Sequence, residues 1–403
     1  MIDGKPTSFE LFAGAGGLAL GVELAGFKSL GTIEWDKWAC ETMRNNQRNA
    51  HPLVADWIIH EMDVRDFLWN ELSDDVDLLA GGPPCQPFSL GGVGRAHDDS
   101  RDMFPAMISA VRVLKPRAFM VENVKGLLRS QFSDYYQYIL LRLEFPERVI
   151  RDGETWPDHL HRLQKAKSAA PSPKTELTYN VIPTLVNAAN YGVPQKRERV
   201  FIIGFRSDLG INWSFPSPTH SLDALLLSQR KGGSYWTRHG MNAVPAGFSI
   251  PRNLPDEDGL KPWRTVRDAL ASLPNPEKSD CSQAFNHEVR FGAKTYPGHT
   301  GSGLDSPSKT LKAGVHGVPG GENMLIQDNG TPRYYTVREA ARIQTFPDGY
   351  RLNGSWSEAM RQLGNAVPVA LGRVVASSVL EAIVKNEIKY LAGAGCSKEP
   401  KWA

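Results

Sequence analysis

Between residues 7 and 145, short apolar runs alternate with longer stretches whose apolar positions recur at helical spacing. TSFELF reads as a strand running into the glycine loop AGAGG, and LALGVELAG as a helix stopped by Gly26. SLGTI is a second strand, followed by Glu34, Trp35 and Asp36. VDLLA is a third, ending at Gly81, and RAFMV another, ending at Glu122. Between them, MFPAMISAVRVL has a helical pattern with Pro105 in its first turn. Strands alternating with helices imply an α/β fold around a mostly parallel, doubly wound sheet.

The pattern then changes. Residues 151–178 are polar and contain prolines, and they read as an insertion or long connection without evident chemistry. YNVIPTLVNAANYGVPQKRERVFIIGF reads as a hairpin turning at Asn190 to Pro194. From about 206 to 330 periodicity fades while Gly and Pro multiply, which marks a second, smaller and irregular domain. Helical spacing returns in TVREAARIQTF. A last helix runs from about Pro368 to Leu391, with Leu371, Val374, Val375, Leu380, Ile383 and Val384 on one stripe. Residues 1–205 would thus join 331–403 in one domain, with 206–330 as the other.

Composition narrows the class. With 403 residues, 41% of them hydrophobic and 22% charged, the chain is ordinary for a globular protein with one large core and a second lobe. MIDGKPTSFE lacks a basic-then-apolar leader, and no apolar run reads as long enough to cross a bilayer. Cys40, Cys85, Cys281 and Cys396 are scattered without paired spacing, which argues against a zinc site or disulfide framework and suits a reducing cytoplasm. A net charge of +2 does not by itself announce a nucleic-acid partner.

Four strands end in residues able to do chemistry, and a parallel sheet gathers such ends on one rim, where ligands bind. Gly14, Gly16 and Ala19 fit G-x-G-x-x-A between strand and helix, so a ligand can approach the backbone and the helix N-terminus. Glu34, at the end of the second strand, can accept from ribose hydroxyls, and Trp35 offers a face for adenine. This fingerprint does not separate a nicotinamide cofactor from another adenosine-containing one. In GGPPCQPFS, taken alone, Cys85 is a small inert hydrophobe. Pro83 and Pro84 change that reading by pre-ordering its approach. An unperturbed thiol is only about 3% thiolate at pH 7, so a nucleophile there needs a positive neighbour. Arg197 and Arg199 are the candidates. Glu122 directly follows FMV, so its carboxyl starts semi-buried, with the raised pKa that suits proton donation.

Together these pieces resemble the DNA cytosine-5 methyltransferase family. FELFAGAGGL resembles its first motif, GGPPCQPFS its catalytic motif, ENV (Glu122 to Val124) the next, QKRER (Gln195 to Arg199) its Q-x-R-x-R motif, and REAARIQTFPD and QLGNAVP its last two. All six occur in the family's order over nearly the whole chain. The resemblance implies a Rossmann-like domain that binds S-adenosylmethionine and releases S-adenosylhomocysteine. It implies that Phe12, Glu34, Trp35 and Asp63 hold the adenosine half, with Gly14, Gly16, Gly17, Val64 and Pro84 beside them, and that Asn365 lies near the methionine half. Cys85 would be the nucleophile, Glu122 would contact the ring nitrogen and exocyclic amine of the base, and Arg199 its carbonyl oxygen, supported by Arg197 and Gln195. Gln86, Ser89, Thr310 and Leu311 would meet DNA, with residues 206–330 as the target-recognition domain. DSRDMF is one residue shorter than the family pattern, which leaves open whether Met103 or Phe104 touches the cofactor.

The implied route is thiolate attack on carbon 6 of a cytosine flipped from double-stranded DNA, at an unpairing cost on the order of a few kcal/mol. The Gly-rich SLGGVGRAHDDS would close over the base. No metal is required. By analogy the enzyme would be a monomeric, cytoplasmic bacterial modification enzyme, nucleoid-associated through its DNA, with a restriction endonuclease as its counterpart. Three other readings are a tRNA methyltransferase, a catalytically inactive DNA-binding regulator, and, on the glycine fingerprint alone, a nicotinamide dehydrogenase.

Overall fold

The computed structural model describes residues 4–72, 75–84, 102–169, 176–241, 244–245, 248–249, 253, 256–277, 284–297, 300–313 and 323–393. Cys85, Gln86, Ser89, the Gly-rich stretch after them, Cys281 and Cys396 lie outside the described residues.

Seven strands form the central sheet: β1 (Thr7–Leu11), β2 (Lys28–Glu34), β3 (Ile59–Glu61), β4 (Leu78–Gly81), β5 (Ala118–Val124), β6 (Tyr179–Asn187) and β7 (Glu198–Arg206). Their order is β3-β2-β1-β4-β5-β7-β6. The first five run parallel, while β7 is antiparallel to both β5 and β6. The crossovers carry α1 (Gly17–Ala25), α2 (Lys37–Arg48), α3 (Phe104–Leu114), α4 (Ser133–Glu144) and α5 (Trp156–Ser168).

Central strands are apolar on both faces because both are covered. Phe9, Leu11, Leu79, Phe119 and Val121 point to the face of α3, α4 and α5, where Met107, Tyr138, Ile139 and Leu163 meet them. Leu78, Ala80, Ala118, Met120 and Phe201 point to the opposite face, under α1 and the last helix. The polar stretch read as an insertion is therefore mainly a covering helix: α5 buries Leu160 and Leu163, and Thr155 caps its start.

Beyond the sheet lie α6 (Leu222–Gln229), α7 (Ser234–Arg238), α8 (Val266–Leu270), α9 (Val337–Ile343), α10 (Trp356–Asn365) and α11 (Val369–Gly393). Leu225, Tyr235, Trp236 and Trp263 make a small core of their own. Val266, Leu311 and Leu325 instead join Tyr335, Ile343, Tyr350 and Leu363 against α1 and α2. The stretch expected as one second domain is thus divided between two clusters. The stretch Trp356–Tyr390 also contains an apolar window long enough to cross a bilayer, with a mean hydropathy of 1.7, contrary to expectation. Half of that window is buried inside the molecule.

Helices α1 and α11 meet backbone to backbone. A Cβ added at Gly21 would lie 2.8 Å from the Val369 carbonyl oxygen and 2.7 Å from the Arg373 nitrogen, and one at Gly17 2.5 Å from the Val367 oxygen. Gly17, expected beside the cofactor, is therefore needed by the close approach of the turn that leads into the last helix.

Candidate active site

The carboxyl ends of β1 to β4 open into one crevice lined by Phe12, Ile33, Glu34, Trp35, Met62, Asp63, Val64, Pro84 and Met103. The loop after β1 reaches it through two left-handed turns, Gly14 (φ 56°) and Gly16 (φ 83°), the second capping α1. A Cβ at Gly14 would meet nothing within 4 Å, so this glycine leaves open space at the rim. Phe12 shares the left-handed conformation (φ 57°), a strained setting for an aromatic residue.

Glu34 ties the loop to β2. One carboxylate oxygen accepts the Gly14 N–H at 2.8 Å, and the other accepts the Trp35 and Asp36 N–H groups at 2.9 and 2.8 Å. Burial nevertheless pushes its pKa up, against these three amides. Four lone-pair sites and three backbone donors leave one acceptor site for a ligand hydroxyl. Asp63 caps the turn after β3, and its hydrogen bonds with Arg65 hold its carboxyl below the usual range. Trp35 is 65% exposed at the mouth. Apolar walls, two aromatic faces and two carboxylates suit an adenosine group with ribose hydroxyls. Met103, not Phe104, lines the crevice; Phe104 is buried in the core as the first residue of α3. Ile33 and Met62, flanking two residues expected from the motifs, complete the wall. Asn365 is exposed at the end of α10 and does not line the crevice.

Beneath the loop sits Glu10 of β1, 5% exposed. The Ala19 amide meets its carboxyl, while one oxygen has no hydrogen-bond partner among the described residues. Burial, reinforced by the Glu34 charge, raises its pKa well above 4.5.

The second group of residues lies where β4 leaves the sheet. In the β5–β7 register Val124 faces Arg199 and Glu122 faces Phe201, so Arg199 stands diagonally across from Glu122 on one face. Arg199 Nε lies 2.9 Å from Glu122 Oε1. Both side chains are largely buried. Burial raises the Glu122 pKa, and the Arg199 and Arg197 charges oppose it without cancelling it. A Cβ at Gly82 would lie 3.3 Å from Glu122 Oε2, so the exit of β4 runs directly beside the carboxylate. Asn123 holds that exit by donating to the Pro83 carbonyl at 3.1 Å. Cys85 follows two residues later, outside the described residues.

Arg197 and Gln195 sit as buried supports, and Leu311, expected to meet DNA, is buried with them. Arg197 is 1% exposed, and its guanidinium donates to the carbonyl oxygens of Leu311, Gly364 and Ala366 at 3.2, 2.8 and 2.9 Å. Its two terminal nitrogens are held by main-chain carbonyls, which makes it a strut, while its buried Nε has no hydrogen-bond partner among the described residues. Gln195, fully buried, donates to Gln344 at 2.9 Å and accepts the Leu311 N–H at 3.0 Å. Gln344 in turn donates to the Leu363 and Ala366 carbonyls. Leu311 is core, and Thr310 donates to the Lys196 carbonyl at 2.7 Å. These residues bind the hairpin to the segments beyond it instead of offering side chains to DNA. Cys40 is likewise inert: burial pushes its thiol up to about 12. Among the described residues no group of three or more His, Cys, Asp or Glu could hold a metal ion.

The model of the C-5 cytosine-specific DNA methylase family matches residues 7–145 and 164–381. Type II methyltransferase M.PspPI of a Psychrobacter species is 32% identical over 384 residues, 93% of this chain and 79% of that protein. Type II methyltransferase M.Eco47II of Escherichia coli is 32% identical over 390 residues, 94% and 80% respectively. Among solved structures, S. pombe Dnmt2 methyltransferase superimposes with a TM-score of 0.53 at 17% identity, over 95% of this chain and 99% of the other. The Entamoeba histolytica methyltransferase EhMeth does so with a TM-score of 0.53 at 12% identity, over 94% and 99%. At such identities the last two speak to fold alone.

Proposed function

The chain belongs to the C-5 cytosine-specific DNA methylase family, and from that premise we propose that it methylates carbon 5 of a cytosine flipped out of a specific double-stranded DNA site, through a covalent Cys85 adduct. The observation that carries this reading is the buried Glu122–Arg199 pair at the exit of the strand that leads to Cys85. S-adenosylmethionine, when bound, supplies the methyl group that carbon 5 takes up. Phe12, Glu34, Trp35, Asp63, Val64, Pro84 and Met103 would hold it, with the ribose on the free acceptor site of Glu34.

The chain's own residues manage the base. The Cys85 thiolate forms a bond to carbon 6, which breaks the aromaticity that makes carbon 5 unreactive. Glu122 holds a proton at the ring nitrogen so that the added electron pair does not build up there uncompensated. Its raised proton affinity suits that task. Arg199, kept in place by Glu122, reaches the base's carbonyl oxygen. Loss of the carbon 5 proton to solvent water then re-forms the ring double bond and drives out the thiolate, the carbon–sulfur bond breaks, and Glu122 recovers its proton from the ring nitrogen. Residues 206–330 would read the site, and Lys and Arg contacts to phosphate would supply much of the affinity. The similarity to Type II methyltransferases supports a cytoplasmic modification enzyme with an endonuclease of the same specificity as its counterpart.

The test uses duplex DNA carrying 5-fluorocytosine at the methylated position. Fluorine does not leave as a cation, so wild-type enzyme should be trapped as an adduct through Cys85, and Cys85→Ser should give neither adduct nor turnover. Active wild-type enzyme that forms no adduct, or a Cys85→Ser variant of normal activity, would overturn the route.

A further inference from the structure

The residue that completes the cofactor wall is held from behind. Met103 is the N-cap of α3, yet its own side chain makes no capping bond. Asp102 does this instead. Its Oδ1 accepts the Phe104 N–H at 3.1 Å, and its Oδ2 accepts the hydroxyl of Tyr135, in the first turn of α4. The carboxylate thus pins the chain on both sides of Met103, and the side chain between them, itself buried, faces the crevice.

Tyr135 is braced in turn. It is buried among rings, 5.7 Å and edge-on from Trp156 at the start of α5 and 6.0 Å from Tyr138. The Tyr138 hydroxyl bonds His159 Nδ1 at 2.8 Å, and His159 Nε2 bonds the Arg148 carbonyl at 2.8 Å. A carbonyl only accepts, so Nε2 carries the proton, Nδ1 accepts, and Tyr138 is the donor. Burial lowers the His159 pKa, in keeping with that neutral ring. The polar stretch that carries α5 thereby acquires a purpose: its rings hold Tyr135, Tyr135 holds Asp102, and Asp102 sets Met103.

We propose that Asp102 and Tyr135 form a positioning pair for the methyl donor, so that a hydroxyl on α4 governs affinity for S-adenosylmethionine through the placement of Met103. The inference rests on the crevice being the donor site. Tyr135→Phe is the informative change, because it keeps the ring contacts and removes only the donor. With the full chain, titration calorimetry against S-adenosylmethionine and steady-state kinetics should agree. The donor's Kd and KM should each weaken about tenfold, the scale of one charge-assisted hydrogen bond. The kcat and the KM for DNA should stay at wild-type values, a split that a general loss of structure would not give. In an Asp102→Ala background, Tyr135→Phe should add nothing further.

Unchanged donor affinity in folded Tyr135→Phe overturns the pairing. So does a fall in kcat and DNA affinity alongside donor affinity. If Tyr135→Phe does not fold, Asp102→Ala decides by the same readouts. Wild-type protein that binds no S-adenosylmethionine would fell both this inference and the reading of the crevice. Wild-type binding with indifferent variants fells the inference alone.

Discussion

At Glu122 burial and two arginines pull in opposite directions, and burial is the larger influence. Glu122→Gln keeps the shape but not the transferable proton. We expect kcat to fall at least about 100-fold while the Kd for S-adenosylmethionine stays unchanged, as measured by labelled methyl transfer and equilibrium dialysis. Gly82→Ala should lower kcat more mildly, since its methyl group would press on the carboxylate from 3.3 Å. Glu10 gives a pH signature. Its folded pKa lies well above 4.5, so the folded protein keeps a proton that the unfolded chain releases. Its contribution is therefore favourable at low pH and is lost as pH climbs from about 4.5 through the folded value. Glu10→Gln removes that loss. Its melting temperature should match wild type near pH 4.5 and exceed it increasingly toward pH 8; a constant difference would contradict the assignment. Glu122 was legible because it ends an apolar run inside ENV. The burial of Glu10 was not, because an acid within FEL points either way until both faces of the strand are covered.

Among the elements, six of the seven sheet strands and helices α1, α3, α9 and α11 were legible from periodicity, while β3, α2, α4 and α10 were not read. Each of β1, β2, β4 and β5 falls on an expected run, and the hairpin of β6 and β7 forms in register from Asn187 opposite Glu198 to Tyr179 opposite Arg206. Helix α5 was hidden because its polar face dominates its composition, and its two core leucines make sense only beside α4. The contact of α1 with α11 was hidden for another reason. Gly17 sits in a motif that already explains glycine and Gly21 lies one turn beyond it, so nothing local reveals that segments from the far end of the chain need their space. Gly21→Ala should cost about 1–3 kcal/mol in urea unfolding. It should not alter the shape of the crevice, so donor binding by the folded fraction should remain. Wild-type stability for this variant would mean that α1 and α11 do not approach as described.

At the scale of the molecule, the hairpin, the segment around Leu311 and the turn between α10 and α11 are joined by one buried polar knot of Arg197, Gln195 and Gln344. The motifs were readable in sequence, but their division of labour was not. Q-x-R-x-R shows three polar side chains around the start of a strand, and only the folded chain shows which groups Gln195 and Arg197 hold, the Leu311 amide, Gln344 and three carbonyls, while Arg199 reaches Glu122. Arg197→Gln strands at least one carbonyl and should cost about 3 kcal/mol or more by chemical denaturation. Stability equal to wild type would refute the strut. A second long-range tie has a wider consequence. Asp77 accepts from the Thr7 N–H at 2.8 Å and pairs with Arg117, which also pairs with Glu387 at 3.2 Å. Strand β1 and helix α11 are thereby linked through Asp77 and Arg117 at the end of the strands opposite the crevice. The linear order of these pieces is then a matter of splicing rather than of architecture. A gene opened in an exposed loop, with α11 joined to β1 through a short tether, would encode the bonds named here in a different reading order.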